Sequence, residues 1–283
     1  MLNALKIEEA SSINYYKLLV ADIDGTLLGK NGIISAADKE ALARVGDSGV
    51  RVSLSTGRVI QSALGIIHQL SLDGYHMFFD GALVSDPQNG KNIYTKPISK
   101  EIVRQIVEFV HGKEINLDLY STTRYFVERE TWATAVRRSF FKSQPKIVDF
   151  ANLWQQETIF KGTLVVRSPE EKAEAEGFRR HFKNSLNFTL TKTPAYPEVD
   201  FINLIAPEVS KGRALEVLAS HLEIPLSKIM AIGDGDNDVP LLSKAGLAIA
   251  MENAPAELKA VADYVTVDVE HSGVAAAIDR FLR

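Results

Sequence analysis

The sequence predicts an α/β fold in which a doubly wound parallel sheet is built from both ends of the chain and interrupted by an inserted α+β domain. Short apolar runs that suit buried strands alternate with helical stretches at the beginning of the chain and again from about residue 207. Between these parts, strand-like runs follow one another, which is typical of an antiparallel sheet with helices on one face. We therefore expect a core formed by residues 1–97 and 207–283 and an inserted domain formed by residues 98–206.

The predicted elements of the core alternate between strand and helix. Before the insertion, strands are expected at residues 17–21, 50–55 and 76–80, and helices at residues 36–46, after the N-cap Ser35, and 57–70. Residues 86–90 form a turn cluster that predicts a hairpin between strands at residues 82–85 and 92–95. After the insertion, the expected strands are residues 228–232, 247–250 and 264–267, with helices from Ser210 to residue 222, at residues 236–244 and after residues 255 and 271.

Composition excludes several classes of function. The net charge of -4 and the pI near 5.9 offer no basic surface for nucleic acid or anionic lipid. The chain has no cysteine, so disulfides, thiolate catalysis and cysteine-based zinc sites are excluded, and oxygen ligands favour a hard cation. No apolar run approaches the roughly 20 residues that span a bilayer. Residues 1–16 lack the pattern of a signal peptide, so we expect an extension before the first strand and a cytoplasmic location.

Two aspartates stand at the predicted carboxyl end of the first strand, in the sequence Asp22-Ile23-Asp24-Gly25-Thr26. Residues two apart on an extended strand point to the same side, and ligands of open parallel sheets bind outside the carboxyl ends of the strands. Asp22 and Asp24 could hold one hard cation, while one attacks phosphorus and the other moves protons. The alternative is an acidic turn after a buried strand.

Two further motifs are suited to hold an anion. Thr56 and Gly57 follow the second strand where a helix begins, and a hydroxyl together with backbone N–H groups can cradle an anion there. Lys211 follows the predicted N-cap Ser210, and a cation in the first helical turn is unfavourable unless an anion lies beside it. The alternatives are a plain threonine N-cap and a solvated surface lysine.

Residues 233–238, with the sequence GDGDND, follow another predicted strand of the core. Asp236 could be a helix cap, but three aspartates in five positions exceed what a cap requires. Asp234 and Asp238 are therefore interpreted as metal ligands, and the ligand spacing excludes an EF-hand. All four motifs are expected at one edge of the parallel sheet. Their carboxylates repel one another, so a divalent cation and Lys211 are needed to keep them ionised, a combination that suits phosphoryl transfer.

In the stretches LLVADIDGTLL, VSLSTGR, SKG and AIGDGDNDVPLL the sequence resembles the four motifs of the haloacid dehalogenase-like phosphatases. The motifs occur in the family's order, and the resemblance extends over essentially the whole chain from about Lys17. The sequence looks most like the Cof-type subfamily, which has a Rossmann-like core and a large class II-B cap inserted between the second and third motifs. The interval from Arg58 to Lys211 suits such a cap.

The resemblance implies a Mg²⁺-dependent phosphatase of small phosphorylated metabolites that works through a phospho-aspartate. Sugar phosphates are the first substrate class expected, with pyridoxal phosphate, flavin mononucleotide and nucleotides as alternatives. Asp22 would be the nucleophile, and Asp24 the general acid/base, which also binds the metal through its backbone carbonyl. The residues implied to bind the metal are Asp22, Asp24, Asp234 and Asp238, with Asp238 in a supporting role. The residues implied to hold the phosphoryl oxygens are Thr56, Gly57, Lys211 and Asn237.

One position departs from the subfamily, whose third strand commonly ends in Asn-Gly-Ala where residues 80–82 here are Asp-Gly-Ala. This leaves the substrate contacts at Asp80 open. Substrate identity is expected to reside in the inserted domain, where the candidates not assigned to the site are Arg124, Arg129, Trp132, Arg137 and Tyr196.

Two rival functions remain. A receiver-like signalling domain also combines an aspartate pair, a hydroxyl and a lysine, but it needs only about 120 residues and leaves residues 233–238 unexplained. A non-catalytic protein that binds phosphorylated metabolites is the other, although the intact Asp22 and Asp24 argue against it. We expect no nucleic-acid or membrane partner, and a monomer or homodimer.

Overall fold

The computed structural model describes residues 15–113, 115–141, 144–193 and 196–282. Within them the chain forms two compact units. The first, called the core unit, contains the described residues up to 58, residues 63–95 and the described residues from 210 onward. The second, called the inserted unit, contains the described residues among 59–62 and 96–209. The predicted N-terminal extension, apart from Tyr15 and Tyr16, lies outside the described residues.

Strands and α-helices are numbered here in chain order. The strands are β1 (Leu18–Asp22), β2 (Arg51–Ser55), β3 (His76–Phe78), β4 (Leu83–Asp86), β5 (Lys91–Thr95), β6 (Leu117–Tyr120), β7 (Tyr125–Val127), β8 (Lys146–Ile147), β9 (Lys161–Val166), β10 (Asn187–Thr193), β11 (Tyr196–Ile205), β12 (Ile229–Gly233), β13 (Leu247–Ala250) and β14 (Tyr264–Val265). The helices are α1 (Ala36–Asp47), α2 (Ile60–Gln69), α3 (Lys100–Val110), α4 (Trp132–Phe141), α5 (Leu153–Gln156), α6 (Pro169–Phe182), α7 (Lys211–His221), α8 (Val239–Leu242), α9 (Ala256–Val261) and α10 (Gly273–Phe281). Among the described residues, no helix combines the length and apolar character needed to cross a membrane.

The core unit is organised around an eight-stranded sheet, whose described strands follow the order β14-β13-β12-β1-β2-β3-β4-β5. The strands from β14 to β3 run parallel, and β4 and β5 extend the sheet as an antiparallel hairpin. All five residues of β1 are buried, as expected for a strand covered on both faces. The predicted α/β fold class and the predicted hairpin are both confirmed.

The carboxyl ends of three neighbouring strands lie at one edge of this sheet. Asp22, the last residue of β1, lies opposite Ser55, the last residue of β2. On its other side β1 pairs with β12, where Ala21 lies opposite Ile232. Because parallel strands end at the same edge, the segments that follow β1, β2 and β12 start next to one another.

The third predicted strand is shorter than the sequence indicated. β3 ends at Phe78, and residues 79–81 form a 3₁₀ turn in which Phe79 and Asp80 have φ values of 53° and 55°. Two backbone hydrogen bonds hold this turn against the end of β2, because Phe79 N donates to Arg58 O and Asp80 N donates to Thr56 O. The turn therefore places the Asp80 side chain beside the segment that follows β2.

Two predicted helices also begin later than expected. The helix predicted from residue 57 begins at Ile60, and the one predicted from residue 236 opens with a 3₁₀ turn before the short α8. In both places a residue between strand and helix contacts the turn at residues 79–81: Arg58 O accepts a hydrogen bond from Phe79 N, and Asn237 Nδ2 donates one to Asp80 Oδ1. α7 begins where predicted, and the Ser210 hydroxyl accepts a hydrogen bond from Arg213 N at 3.1 Å.

The inserted unit contains a six-stranded sheet, whose described strands follow the order β10-β11-β9-β6-β7-β8. All its pairings are antiparallel except that of β7 with β8. One face packs against α3 and α6, with Leu164 of β9 in that cluster. Val165 points to the opposite face and packs in a second cluster with Ala133 of α4. The prediction that helices cover only one face of this sheet was therefore wrong for α4.

Gly212 offers a test of helix packing in the core unit. A Cβ atom at this position would lie 2.3 Å from the backbone oxygen of Pro240 in α8, so the two helices would have to move apart. We expect Gly212→Ala to lower the free energy of unfolding by about 2 kcal/mol, as overpacking does. In the control variant Gly65→Ala, in α2, the added Cβ has no atom within 4 Å, and that change should be neutral or stabilise by up to about 1 kcal/mol. Chemical denaturation of both variants measures the difference, and an unchanged midpoint for Gly212→Ala would contradict the described packing.

Candidate active site

A buried lysine joins two of the motifs in the core unit. Lys211 Nζ donates to Asp22 Oδ1 and to Asp238 Oδ1, both at 2.6 Å. The Lys211 residue is 1% exposed, and the two aspartates are 6% and 0% exposed. Burial by itself lowers the pKa of Lys211, but the charges of the two aspartates outweigh it and raise that pKa above its ordinary value. Lys211 is therefore a fixed positive charge between two strand ends.

Asp238 shapes the loop that follows β12. Its second oxygen, Oδ2, accepts hydrogen bonds from the backbone N–H groups of Asp234 at 3.1 Å and Gly235 at 3.0 Å. A Cβ atom at Gly233 would lie 2.5 Å from Asp238 Cγ, so the loop can close around this carboxylate only because residue 233 is glycine. Both Asp238 oxygens are thus engaged by the protein.

Asp234 is held by residues from two other segments. Thr26 Oγ1 donates to Asp234 Oδ1 at 2.8 Å, and Asn253 Nδ2 lies 3.3 Å from Asp234 Oδ2. The same Asn253 nitrogen donates to Gly25 O at 2.9 Å. Gly25 has a φ of +89°, and a Cβ atom there would lie 2.0 Å from Asp234 Oδ2. Glycine at position 25 is therefore required both by the turn and by the closeness of the carboxylate.

Three carboxylates form a cluster that fits a hard cation. Asp22, Asp234 and Asp238 each offer an oxygen, and these atoms lie within 4.8 Å of one another. Burial first, and then the neighbouring carboxylates, raise the pKa of Asp22 well above its ordinary value and that of Asp234 to about 7. A divalent cation would remove the repulsion that raises these pKa values, and an all-oxygen donor set is the one Mg²⁺ prefers. The donor set thus fits the predicted magnesium site.

Thr56 and Gly57 lie at the end of β2 on the same edge. Thr56 is 1% exposed, its N–H donates to Met77 O at 2.9 Å, and its hydroxyl accepts from Arg58 N at 3.1 Å. A Cβ atom at Gly57 would lie 2.8 Å from Asp80 Oδ1, so the loop passes close to that carboxylate. These contacts fix the loop that was predicted to hold phosphoryl oxygens.

Asp80 is the hydrogen-bond partner of Asn237, and the sequence did not reveal this pairing. Asn237 Nδ2 donates to Asp80 Oδ1 at 2.7 Å, and Asp80 is 3% exposed. The side-chain amide of Asn237, which was predicted to hold a phosphoryl oxygen, is thus directed at a carboxylate. The only signal in the sequence was the Asp-Gly-Ala departure at residues 80–82. It marked the position but not the partner, because the two residues are 157 positions apart.

The Asp24 side chain lies outside the three-carboxylate cluster. It forms a bidentate ion pair with Arg58, in which Nε lies 2.7 Å from Oδ2 and Nη2 lies 2.5 Å from Oδ1. The side chains of Asp24 and Arg58 are 56% and 27% exposed. The sequence analysis predicts no chemical role for Arg58, which follows Gly57 in the second motif.

Two of the unassigned candidates of the inserted unit, Arg137 and Trp132, have structural partners within that unit. Arg137 Nε donates to Asp118 Oδ2 at 2.7 Å, and both residues are buried. The Trp132 indole donates to Glu171 Oε1 at 3.1 Å, and the Arg167 guanidinium lies 4.1 Å from the Trp132 ring centroid. These contacts are sufficient to account for Arg137 and Trp132 as parts of the packing.

Comparison with known proteins places this geometry in a family. A family model described as haloacid dehalogenase-like hydrolase matches residues 19–278. The phosphatase YwpJ of Bacillus subtilis is 28% identical over 281 residues, which cover 92% of this chain and 97% of that protein. The 5-amino-6-(5-phospho-D-ribitylamino)uracil phosphatase YwtE of Bacillus subtilis is 28% identical over 284 residues, which cover 94% and 98%.

Comparison with a solved structure indicates the same family as these relatives. The phosphatase BT1666 from Bacteroides thetaiotaomicron superposes with a TM-score of 0.79 at 28% identity, covering 94% of this chain and 95% of that one. The predicted resemblance to Cof-type enzymes and the predicted enzyme class, a phosphoric monoester hydrolase, are confirmed. With its motifs, its fold and its matched length in agreement, this chain belongs to the haloacid dehalogenase-like hydrolases.

Proposed function

We propose that this protein is a Mg²⁺-dependent phosphatase of small phosphorylated metabolites that works through a phospho-aspartate on Asp22. The observation that carries the proposal is the buried contact of Lys211 with Asp22 and Asp238, next to the carboxylate of Asp234. A nucleophilic carboxylate needs a nearby positive charge to approach a phosphate dianion. Lys211 supplies one such charge, and the three carboxylates can hold a second.

The residues that would hold Mg²⁺ are Asp22 and Asp234 through their carboxylates, Asp24 through its backbone carbonyl, and Asp238 in support. When bound, the ion neutralises charge on the phosphoryl oxygens and on the carboxylates around it. Asp238 contributes mainly by arranging the loop, because its oxygens already accept hydrogen bonds from Lys211 and from two backbone N–H groups.

The residues then divide the reaction into two displacements. Lys211, Thr56 and the backbone near Gly57 hold the phosphoryl group, and a carboxylate oxygen of Asp22 attacks phosphorus while the ester oxygen leaves. Asp24 gives its proton to that leaving oxygen. The resulting Asp24 carboxylate takes a proton from water, which attacks the phospho-aspartate and releases inorganic phosphate. Each step is ordinary covalent and general acid–base catalysis.

Relatives support the substrate class but not one substrate. One relative acts on a phosphorylated ribitylaminouracil, and others from Yersinia pseudotuberculosis are named HMP-PP phosphatases. These are small phosphorylated molecules with different leaving groups, as expected when a constant core is combined with a variable inserted domain. We propose that residues 98–206 set the specificity. Sugar phosphates stay the first prediction, ahead of pyridoxal phosphate, flavin mononucleotide and nucleotides, and a panel of these compounds is the test.

The rival functions are not favoured. A receiver-like domain would not need the inserted unit, and the family match extends over residues 19–278. A non-catalytic binding protein has no need for a carboxylate held against a buried lysine at the strand end. The cytoplasmic location and the monomeric or homodimeric state stay predictions.

Replacement of the nucleophile tests the mechanism. We expect Asp22→Asn to lower kcat by at least about 10³-fold, because an amide oxygen forms no stable acyl phosphate. The assay is hydrolysis of p-nitrophenyl phosphate with Mg²⁺ and with EDTA. Asp236→Asn, at an exposed position of the same β12 loop, is the control and should keep wild-type activity. An Asp22→Asn protein with wild-type turnover would refute the assignment.

The raised pKa of Asp234 predicts how magnesium and pH act together. The folded protein keeps a proton on Asp234 up to a pKa of about 7, whereas the unfolded chain loses it near the ordinary value of 3.8. This group therefore lowers the stability of the metal-free protein as pH rises from about 4 to about 7, and Mg²⁺ must displace the proton below that pH. We expect Mg²⁺ to raise Tm by at least about 3 °C more at about pH 8 than at about pH 5.5.

Two variants sharpen this measurement. Asp234→Asn should lose the Mg²⁺-induced rise in Tm, while Asp236→Asn should retain it. An equal rise in wild-type protein at both pH values would contradict the assignment of Asp234 as a metal ligand with a raised pKa.

The contacts of Asn253 predict that it supports metal binding by holding Gly25 and Asp234 in place. Its amide connects Gly25 O with Asp234 Oδ2, so its removal loosens two elements that border the cluster. We expect Asn253→Ala to raise the Mg²⁺ concentration for half-maximal activity by about tenfold, with a smaller change in kcat at saturating Mg²⁺. The exposed neighbour Glu252→Ala is the matched control. An unchanged Mg²⁺ requirement would assign Asn253 to local packing alone.

A further inference from the structure

The bidentate ion pair of Arg58 with Asp24 conflicts with one half of the proposed reaction. Both carboxylate oxygens of Asp24 accept hydrogen bonds from the guanidinium, at 2.7 Å and 2.5 Å. A carboxylate engaged in this way has no oxygen available to the leaving group of a substrate. In this arrangement Asp24 therefore cannot reach the leaving oxygen to which it is proposed to give a proton. For the first displacement, Asp24 has to be released from Arg58.

Arg58 lies in the loop after β2, which is predicted to hold phosphate. Its backbone N–H donates to the Thr56 hydroxyl, and its side chain extends along the edge that carries Asp22 and Asp24. Burial lowers the pKa of Arg58, but the hydrogen bonds and charge of Asp24, followed by the charge of Asp22, raise it above its ordinary value. The guanidinium thus lies in the field of the nucleophile as well as that of its partner.

We propose that Arg58 is a positioning residue that exchanges its ion pair with Asp24 for the phosphoryl group of the substrate. With the site empty, the guanidinium holds the Asp24 carboxylate. When a phosphate dianion enters, its oxygens offer the same bidentate geometry with more charge, and the guanidinium moves to them. Asp24 is then released from the guanidinium, so that its oxygens can face the leaving oxygen. The inference rests on the proposed function, because it assigns the moment at which Asp24 becomes the acid.

The exchange is physically undemanding. The Asp24 and Arg58 side chains are 56% and 27% exposed, so water can reach both groups while the guanidinium changes partners. The buried pair of Lys211 with Asp22 differs, since a change of partner there would leave a charge without water. Of these two cations, Arg58 is therefore the one that can change partners during a turnover.

A double-mutant cycle on phosphate binding tests the exchange. The probe is inorganic orthophosphate, titrated by calorimetry in the presence of Mg²⁺ into wild type, Asp24→Asn, Arg58→Gln and the double variant. In wild type, Arg58 must break its ion pair to bind phosphate, so Arg58→Gln should weaken binding by only about threefold. In the Asp24→Asn background the guanidinium has no competing carboxylate, and the same change should weaken binding by at least about tenfold.

The coupling is the difference between the losses of phosphate affinity that Arg58→Gln causes in the two backgrounds. Its size decides between an exchange of partners and a purely structural role of Arg58. Equal losses in both backgrounds, or no loss in either, would overturn the proposal. Arg58→Lys is the second variant and keeps the charge but not the bidentate geometry. The phosphate affinity of Arg58→Lys should lie between the affinities of wild type and Arg58→Gln. If Arg58→Lys and Arg58→Gln bind phosphate with equal affinity in the Asp24→Asn background, a direct contact between Arg58 and phosphate is contradicted.

Steady-state kinetics separate this inference from the proposed function. With p-nitrophenyl phosphate and with an alkyl phosphate, Arg58→Gln should raise KM for both substrates, and Arg58→Lys should partly restore it. If wild type hydrolyses phosphate esters and the binding cycle is additive, the exchange fails and the phosphatase function stands. If wild type hydrolyses no phosphate ester while the cycle shows the expected coupling, the proposed function fails and Arg58 remains a residue that exchanges Asp24 for bound phosphate.

Discussion

The sheet edge that carries the candidate active site depends on one interaction, that of the Lys211 ammonium group with Asp22 and Asp238. Both contacts measure 2.6 Å and lie away from water. Taking three charges out of water is unfavourable, and removal of one partner would leave a buried charge uncompensated. The contact also joins the end of β1 to the first turn of α7 and to the loop after β12. Elements that are far apart along the chain are therefore held in register by charge as well as by the sheet.

Around this contact, glycines let the backbone pass close to carboxylates, where a larger residue would not fit. Gly25 lets its turn pass beside the Asp234 carboxylate, and Gly57 lets the loop after β2 pass beside Asp80. Space at this edge is occupied by carboxylates, which explains why burial and mutual repulsion raise the pKa values of Asp22 and Asp234. A cluster under such electrostatic repulsion favours cations, and a divalent ion would bind to it most strongly when the carboxylates are ionised. The binding of protons and of a metal ion to these carboxylates would for this reason be linked.

The sequence predicted the fold class, and it predicted that the candidate site residues stand at strand ends, because both predictions depend on local signals. Apolar runs and caps such as Ser210 predicted where strands and helices begin, and parallel strands bring the residues that follow them to one edge. Details that depend on packing were missed. β3 ends early because the turn at Phe79 and Asp80 bonds to the backbone of another loop. The helix α4 lies on the second face of its sheet because that face also carries apolar residues, including Val165.

By itself, the sequence determined which chemical groups stand at the strand ends and the α/β order that brings them together. It could not determine which partner each group selects, because hydrogen bonds and ion pairs form between residues that are close only after folding. The tertiary structure alone decided that Arg58 pairs with Asp24, that Asn237 is directed at Asp80 and that Asn253 connects two loops. Such pairings require donor–acceptor distances that are correct to within a few tenths of an ångström, and no periodicity in a sequence encodes distances between residues that are remote along the chain.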